Sequence, residues 1–250
     1  MKLPFNIDLK NKTCVITGGG GILCSVFAGA VAKTGANVAI LDLNGDAAKK
    51  VAEEISAEGG KAIGISANVL EKESLENAKK EINSLFGTVD ILINGAGGNN
   101  PMASTTKDYY DPADEALSDV KTFFDLDPKG IEFVFNLNFL GTLLPTQVFA
   151  KDLTGKKDAS IINISSMNAF CPLTRIPAYS GAKAAISNFT QWLAVHFSKT
   201  GIRVNAIAPG FFLTNQNRSL LIDENGSYTP RSEKILSQTP MGVSVTPKSL

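Results

Sequence analysis

The 250-residue chain carries 24 Lys and Arg against 24 Asp and Glu, and 44% of its residues are hydrophobic. The even charge balance excludes an electrostatic drive toward nucleic acid or an anionic membrane surface. The length and apolar content suit one large α/β domain with a sizeable core. Three cysteines (Cys14, Cys24 and Cys171) without CxxC spacing read as reduced thiols of a cytoplasmic protein. With His196 the only histidine, no metal site is expected. Met1 to Leu9 lacks the apolar stretch of a secretion signal, and no apolar run reads as long enough to span a bilayer.

Short runs rich in Val and Ile alternate with longer amphipathic ones. A strand is predicted at 14–17 ("CVIT"), followed by the glycine run Gly18 to Gly21 and a helix over 25–35. A strand at 38–42 ends on Asp42; a helix follows at 45–60, a strand at 62–69, a helix at 72–87 and a strand at 91–94. Residues 98–129 break the rhythm with Asn-Asn-Pro, Tyr-Tyr, two Asp-Pro steps and many acids. Long, largely apolar and buried helices are predicted at 130–153 and 180–201, with strands at 160–165 and 202–209. Residues 211–250 show one weak helical stretch. The alternation predicts a doubly wound parallel sheet with right-handed crossovers in a single domain.

A glycine run between a strand and a helix lets backbone amides approach a phosphate, which the helix dipole also attracts. An acid at the end of the next strand then binds ribose hydroxyls, and Asp42 holds that place. No Lys or Arg follows it; Leu43 and Asn44 do. Asp42 would repel a ribose 2′-phosphate, so NAD(H) is preferred over NADP(H).

Further motifs follow in order: Asn94-Gly95-Ala96-Gly97, Asn138-Phe139-Leu140-Gly141, Ser166, Tyr179-Ser180-Gly181-Ala182-Lys183 and Pro209-Gly210, with Thr214 beyond. This ordered set resembles the short-chain dehydrogenase/reductase family from residue 10 to about 241. The 98–129 insertion and "GGNNP" resemble its fructuronate reductase (D-mannonate oxidoreductase) branch. The family's TGxxxGxG pattern, counted without gaps from Thr17, puts its second glycine at Ile22 and its third at Cys24. Gly18 then makes the tight turn. Cys24 substitutes a small thiol for the residue of close helix–strand packing, and Ile22 brings a Cβ where backbone should approach phosphate, so a slight shift of the loop is expected.

The resemblance implies that Tyr179 moves a proton to or from the substrate oxygen. Lys183, four residues on and on the same helix face, would lower the tyrosine pKa and hold the nicotinamide ribose. Ser166 would hydrogen-bond the reacting carbonyl, and Asn138 would hold a water that relays protons. Cofactor contacts would come from Gly18, Gly20, Gly21, Ile22 and Leu23, from Asp42 and Leu43, and from Asn68 and Val69 beside the adenine. Asn94, Ala96 and Gly97, Tyr179 and Lys183, and Pro209, Gly210 and Thr214 complete that set. Asn99 and Arg175 are candidates for a sugar-acid substrate, Arg175 for its carboxylate. A ketogluconate or polyol dehydrogenase is the alternative enzyme. An inactive nucleotide-binding relative is the third reading, favoured by Ile22, Cys24 and the short run after Thr239-Pro240-Met241-Gly242. That run implies six strands in the order 3-2-1-4-5-6 without the family's seventh. A weakened tetramer and a homodimer through the two long helices follow.

Overall fold

Runs of Val, Ile and Ala become buried parallel strands because helices cover both faces of the sheet. In the computed structural model, which describes residues 7–212 and 221–240, the strands are β1 (Thr13–Thr17), β2 (Asn37–Asp42), β3 (Lys61–Ser66), β4 (Ile91–Asn94), β5 (Ser160–Ile164) and β6 (Arg203–Ile207). They form one sheet in the order β3-β2-β1-β4-β5-β6. All its pairs are parallel, with Thr17 opposite both Leu41 and Asn94. The helices are α1 (Ile22–Lys33), α2 (Gly45–Ala57), α3 (Lys72–Phe86), α4 (Pro128–Phe135), α5 (Gly141–Leu153), α6 (Pro177–His196) and α7 (Pro230–Ser237).

Strand alternation splits the core in two. Val15, Leu41, Leu92 and Ile161 point one way, against Phe149 and Leu153 of α5 and Leu75 and Ile82 of α3. Cys14, Ile16, Ile40 and Ile93 point the other way, against Cys24 and Ala28 of α1 and Val51 and Ile55 of α2. The chain order reverses between β1 and β4, and a crevice opens at the carboxyl ends of strands at such a point.

Some expectations need correction. β3 ends at Ser66 rather than 69, because Asn68 draws the chain into a turn: the Leu70 amide donates to its Oδ1 (3.0 Å) and its Nδ2 donates to Glu71 (2.8 Å). The helix expected over 130–153 is α4 and α5 joined by a π-turn at Asn136–Leu140. The long helices are not fully buried: Trp192 is 55% and Val195 76% exposed. By length and composition alone Pro128–Leu153 could cross a membrane, contrary to the reading that no run could. Half of its most apolar 18-residue window is buried, however, and Phe149 and Leu153 lie in the sheet core, as in the central helix of a globular fold.

The 98–129 insertion is ordered by its own caps. Asn100, Asp111 and Thr122 accept backbone N–H bonds at the starts of three 3-10 turns (Pro101–Ala103, Pro112–Ala116, Phe123–Asp125). It is tied to the segment before α6 in both directions: the Thr105 amide donates to the Arg175 carbonyl (3.0 Å), and Arg175 Nε donates to the Thr105 carbonyl (3.4 Å).

Two compact units divide at residue 209. In the second, Thr229 caps α7, and Ile222 and Tyr228 form an antiparallel bridge. Thr214 and the run from Met241 to Leu250, on which the missing seventh strand was expected, lie outside the described residues.

Candidate active site

The crevice is lined first by the glycine run. Gly18 has φ +63°, and a Cβ there would stand 2.8 Å from the Ala96 backbone, so only glycine fits this turn. Gly20 donates its amide to Asp42 Oδ2 (3.0 Å), and Asn44 donates its own to Asp42 Oδ1 (2.9 Å). The carboxylate thus holds the loop itself, and each oxygen keeps a lone pair for a further donor. α1 starts at Ile22 after Gly21, and no side chain caps it. Its first amides point from the helix end with no intrahelical partner. Ile22 is 39% exposed at the first helical position. Its side chain is therefore partly in solvent.

The exit of β4 forms the opposite wall. Thr17, which the motif reading passed over as a role, accepts the Gly95 (3.1 Å) and Ala96 (3.3 Å) amides on its hydroxyl. Its signal in the sequence is a hydroxyl at the strand end just before the glycines. Gly97 is exposed, and a Cβ there would lie 2.6 Å from Asn138 Oδ1 and 3.1 Å from Lys183 Nζ. A flat, side-chain-free floor therefore lies directly over the lysine. Together with the uncapped amides and Asp42, this is the shape and donor set that a dinucleotide requires.

Asn138 is wholly buried in the π-turn. Its Nδ2 donates to the Gly98 and Val134 carbonyls (both 2.7 Å), and its Oδ1 accepts from the Gly98 amide (3.3 Å). The amide group clamps the β4 exit and has both N–H donors engaged. Its Oδ1 keeps a second lone pair, and its main-chain carbonyl accepts from the Thr142 hydroxyl (2.9 Å).

Tyr179 and Lys183 share one face of α6. Lys183 is 3% exposed, donates to the Ile164 carbonyl (2.8 Å), and sits 5.6 Å from the Tyr179 ring centre. Burial pulls its pKa down to about 8, partly offset by Cys24. Burial raises the Tyr179 pKa, and a hydrogen bond from Ser166 opposes the rise. In the chain's own geometry the tyrosine is thus not lowered by Lys183. The Ser166 hydroxyl accepts from the Asn168 amide (3.2 Å), which leaves its O–H to donate toward Tyr179 or a substrate oxygen.

The other expected contacts are more scattered. Leu43 is exposed beyond Asp42. Val69 packs 3.1 Å from where a Gly141 Cβ would stand. Asn94 is buried and donates to Thr146 (2.9 Å) and Asn163 (2.8 Å), so it braces the sheet rather than facing the crevice. Asn99 is exposed and donates to Ser104 (2.9 Å). Arg175 is exposed and forms no ion pair among the described residues. Pro209 and Gly210 open the second unit. His196 ends α6 with its ring stacked on Trp192 (4.5 Å).

The short chain dehydrogenase family matches residues 12–225. An uncharacterized oxidoreductase of Haemophilus influenzae is 62% identical over 242 residues, 97% of this chain and 84% of that protein. The uncharacterized oxidoreductase UxuB of Bacillus subtilis is 52% identical over 239 residues, 96% of this chain and 84% of that one. A solved structure of a provisionally named D-mannonate oxidoreductase from Haemophilus influenza, with bound NAD, is 61% identical. It superposes with a TM-score of 0.94 over 98% of this chain and 87% of its own. The chain belongs to the short-chain dehydrogenase family. It is an oxidoreductase by that membership.

Proposed function

We propose that the protein is an NAD(H)-dependent oxidoreductase that interconverts a sugar-acid ketone and its secondary alcohol, with D-fructuronate and D-mannonate as the substrate pair. The observation that carries this reading is the 61% identity, over nearly the whole chain, to a structure named for D-mannonate and holding NAD. The site's own chemistry agrees with it. The cofactor supplies the hydride acceptor or donor. Asp42 accepts from the adenosine ribose, Asn68 and Val69 border the adenine, and the loop from Gly18 to Leu23 faces the pyrophosphate with its amides. Ala96 and Gly97 form the floor.

Tyr179 gives its phenolic proton to the substrate oxygen on reduction and takes it back on oxidation. An unperturbed phenol titrates near 10, so matching it to neutral pH requires about 4 kcal/mol of preferential stabilisation of the phenolate. Ser166 supplies part of this by its hydrogen bond, and the buried Lys183 cation supplies more once its ammonium turns toward the phenol. Asn138 holds the β4 exit under both. Arg175, with Nε fixed by Thr105, offers its terminal nitrogens to the carboxylate, and Asn99 a hydroxyl contact. The exposed face of α5 and α6 would pair two copies as a homodimer in the cytoplasm.

The test is NADH consumption against D-fructuronate, 5-ketogluconate and neutral ketoses. Fructuronate should be turned over with the highest kcat/KM. Equal or better use of a neutral ketose refutes the sugar-acid reading, and no turnover with NADH bound favours the inactive relative.

A further inference from the structure

Cys24 stands where the glycine pattern calls for close packing, yet α1 packs closely all the same. The room comes from the other side of the contact. A Cβ on Gly95 would lie 2.2 Å from the Cys24 sulfur, and 2.9 Å from the Thr17 carbonyl. Cys24 is 5% exposed and occupies the third position of α1. Its sulfur therefore rests directly on the bare backbone of the β4 exit. The thiol is pushed up to about 11, chiefly by burial, and both Lys183 and Asp42 are near enough to act on it. At Gly21, by contrast, a Cβ would meet only the Gly18 carbonyl (3.1 Å), so the tight contact is particular to the Cys24 side.

We propose that Cys24 and Gly95 are a matched pair that sets how deeply the α1 N-terminus sits against β4. Gly95, just past the end of β4, carries no side chain, and the Cys24 sulfur fills the space that a Cβ there would take. The uncapped amides of α1 are thereby held at a fixed height relative to Gly97 and Lys183. Both are positioning residues, and neither touches a reacting atom. The consequence for binding rests on the dinucleotide reading above, whereas the pairing does not.

The experiment introduces Gly95→Ala into two backgrounds, the parent and Cys24→Gly. Each protein is read by thermal unfolding without nucleotide and by NADH fluorescence titration. In the parent the new methyl meets sulfur in a closed site. Overpacking of this kind should lower Tm by about 5 °C and weaken NADH binding about tenfold. In the Cys24→Gly background only the Thr17 carbonyl opposes the methyl, and both losses should be less than half as large. Cys24→Val adds bulk from the helix side, and it serves if Gly95→Ala does not fold in the parent. It should show the same two losses.

Equal losses from Gly95→Ala in the two backgrounds overturn the pair, as does a Cys24→Val protein that matches the parent in both readouts. Coupled Tm losses with unchanged NADH binding overturn the positioning role. A parent that binds no NADH refutes the dinucleotide reading, while the Tm coupling still decides the pair.

Discussion

Lys183→Met should make the protein more stable at pH 7 while abolishing turnover. Lys183 is 3% exposed, and burial brings its pKa from 10.5 to about 8. That difference corresponds to about 3 kcal/mol by which the folded state disfavours the protonated lysine. Met is unbranched and of similar length, so it fills the same space. It loses the bond to the Ile164 carbonyl (2.8 Å), worth about 1 kcal/mol. The net gain at pH 7 is then about 2 kcal/mol, or roughly 4–8 °C in Tm for a chain of this size. The pH dependence is the sharper signature. Between about 8 and 10.5 the unfolded lysine holds its proton and the folded one does not, so the unfolded state binds more protons and the parent's stability rises with pH. Below that window the penalty is present in full. The raised Tyr179 phenol is common to both proteins and cancels in the comparison. Urea unfolding of parent and variant, without nucleotide, at pH 7 and at about pH 10 measures the gap. It should shrink or reverse at the higher pH. A variant less stable than the parent at pH 7, or a gap independent of pH, refutes the assignment of Lys183 as a strained buried cation.

Tyr179→Phe should lower kcat by roughly 10²–10⁴ while the NADH dissociation constant, read by fluorescence, stays near that of the parent; retention of most activity removes the proton-transfer role. Asp42→Ala should weaken NADH binding about tenfold and narrow the preference over NADPH. It also releases the Gly20 and Asn44 amides, so NADPH binding should not improve to the level the parent shows with NADH; a clean switch to NADPH would mean that the carboxylate does not hold the loop. Arg175→Ala should raise KM for a sugar acid far more than for a neutral ketose, and an equal rise for both would leave Arg175 only its bond to Thr105.

The sheet was legible because each strand is a short Val/Ile run bounded by Gly, Asp or Asn, and β1, β2 and β4 fall within a residue of where the runs place them. The errors have local causes that periodicity does not register. Asn68 ends β3 early with a side-chain turn, and an apolar helix carrying a π-turn at Asn136–Leu140 has the same composition as a continuous one. Burial of α4 to α6 was overestimated because apolar content measures what can be covered, and the faces bearing Trp192 and Val195 are left open within one chain. The tyrosine and lysine were legible from four-residue spacing on a helix. The balance of forces on them was not. Proximity suggests a cation lowering a phenol, whereas the depth of Lys183 and its bond to Ile164 turn its proton toward the β5 backbone, and burial raises Tyr179 instead.

The glycine run raises the same issue in reverse, since the ungapped count put two side chains where the pattern has glycines. In the structure the helix starts at Ile22, and Gly20 donates to Asp42 at 3.0 Å. Ile22 is tolerated because the first helical position leaves its side chain partly in solvent. Cys24 is tolerated for a different reason, one that lies seventy-one residues away in the chain, at Gly95. A motif written along one segment cannot express that condition. Whether α1 sits close to the sheet depends on the sum of what helix and strand place between them, and a side chain on one is permitted when the other carries none.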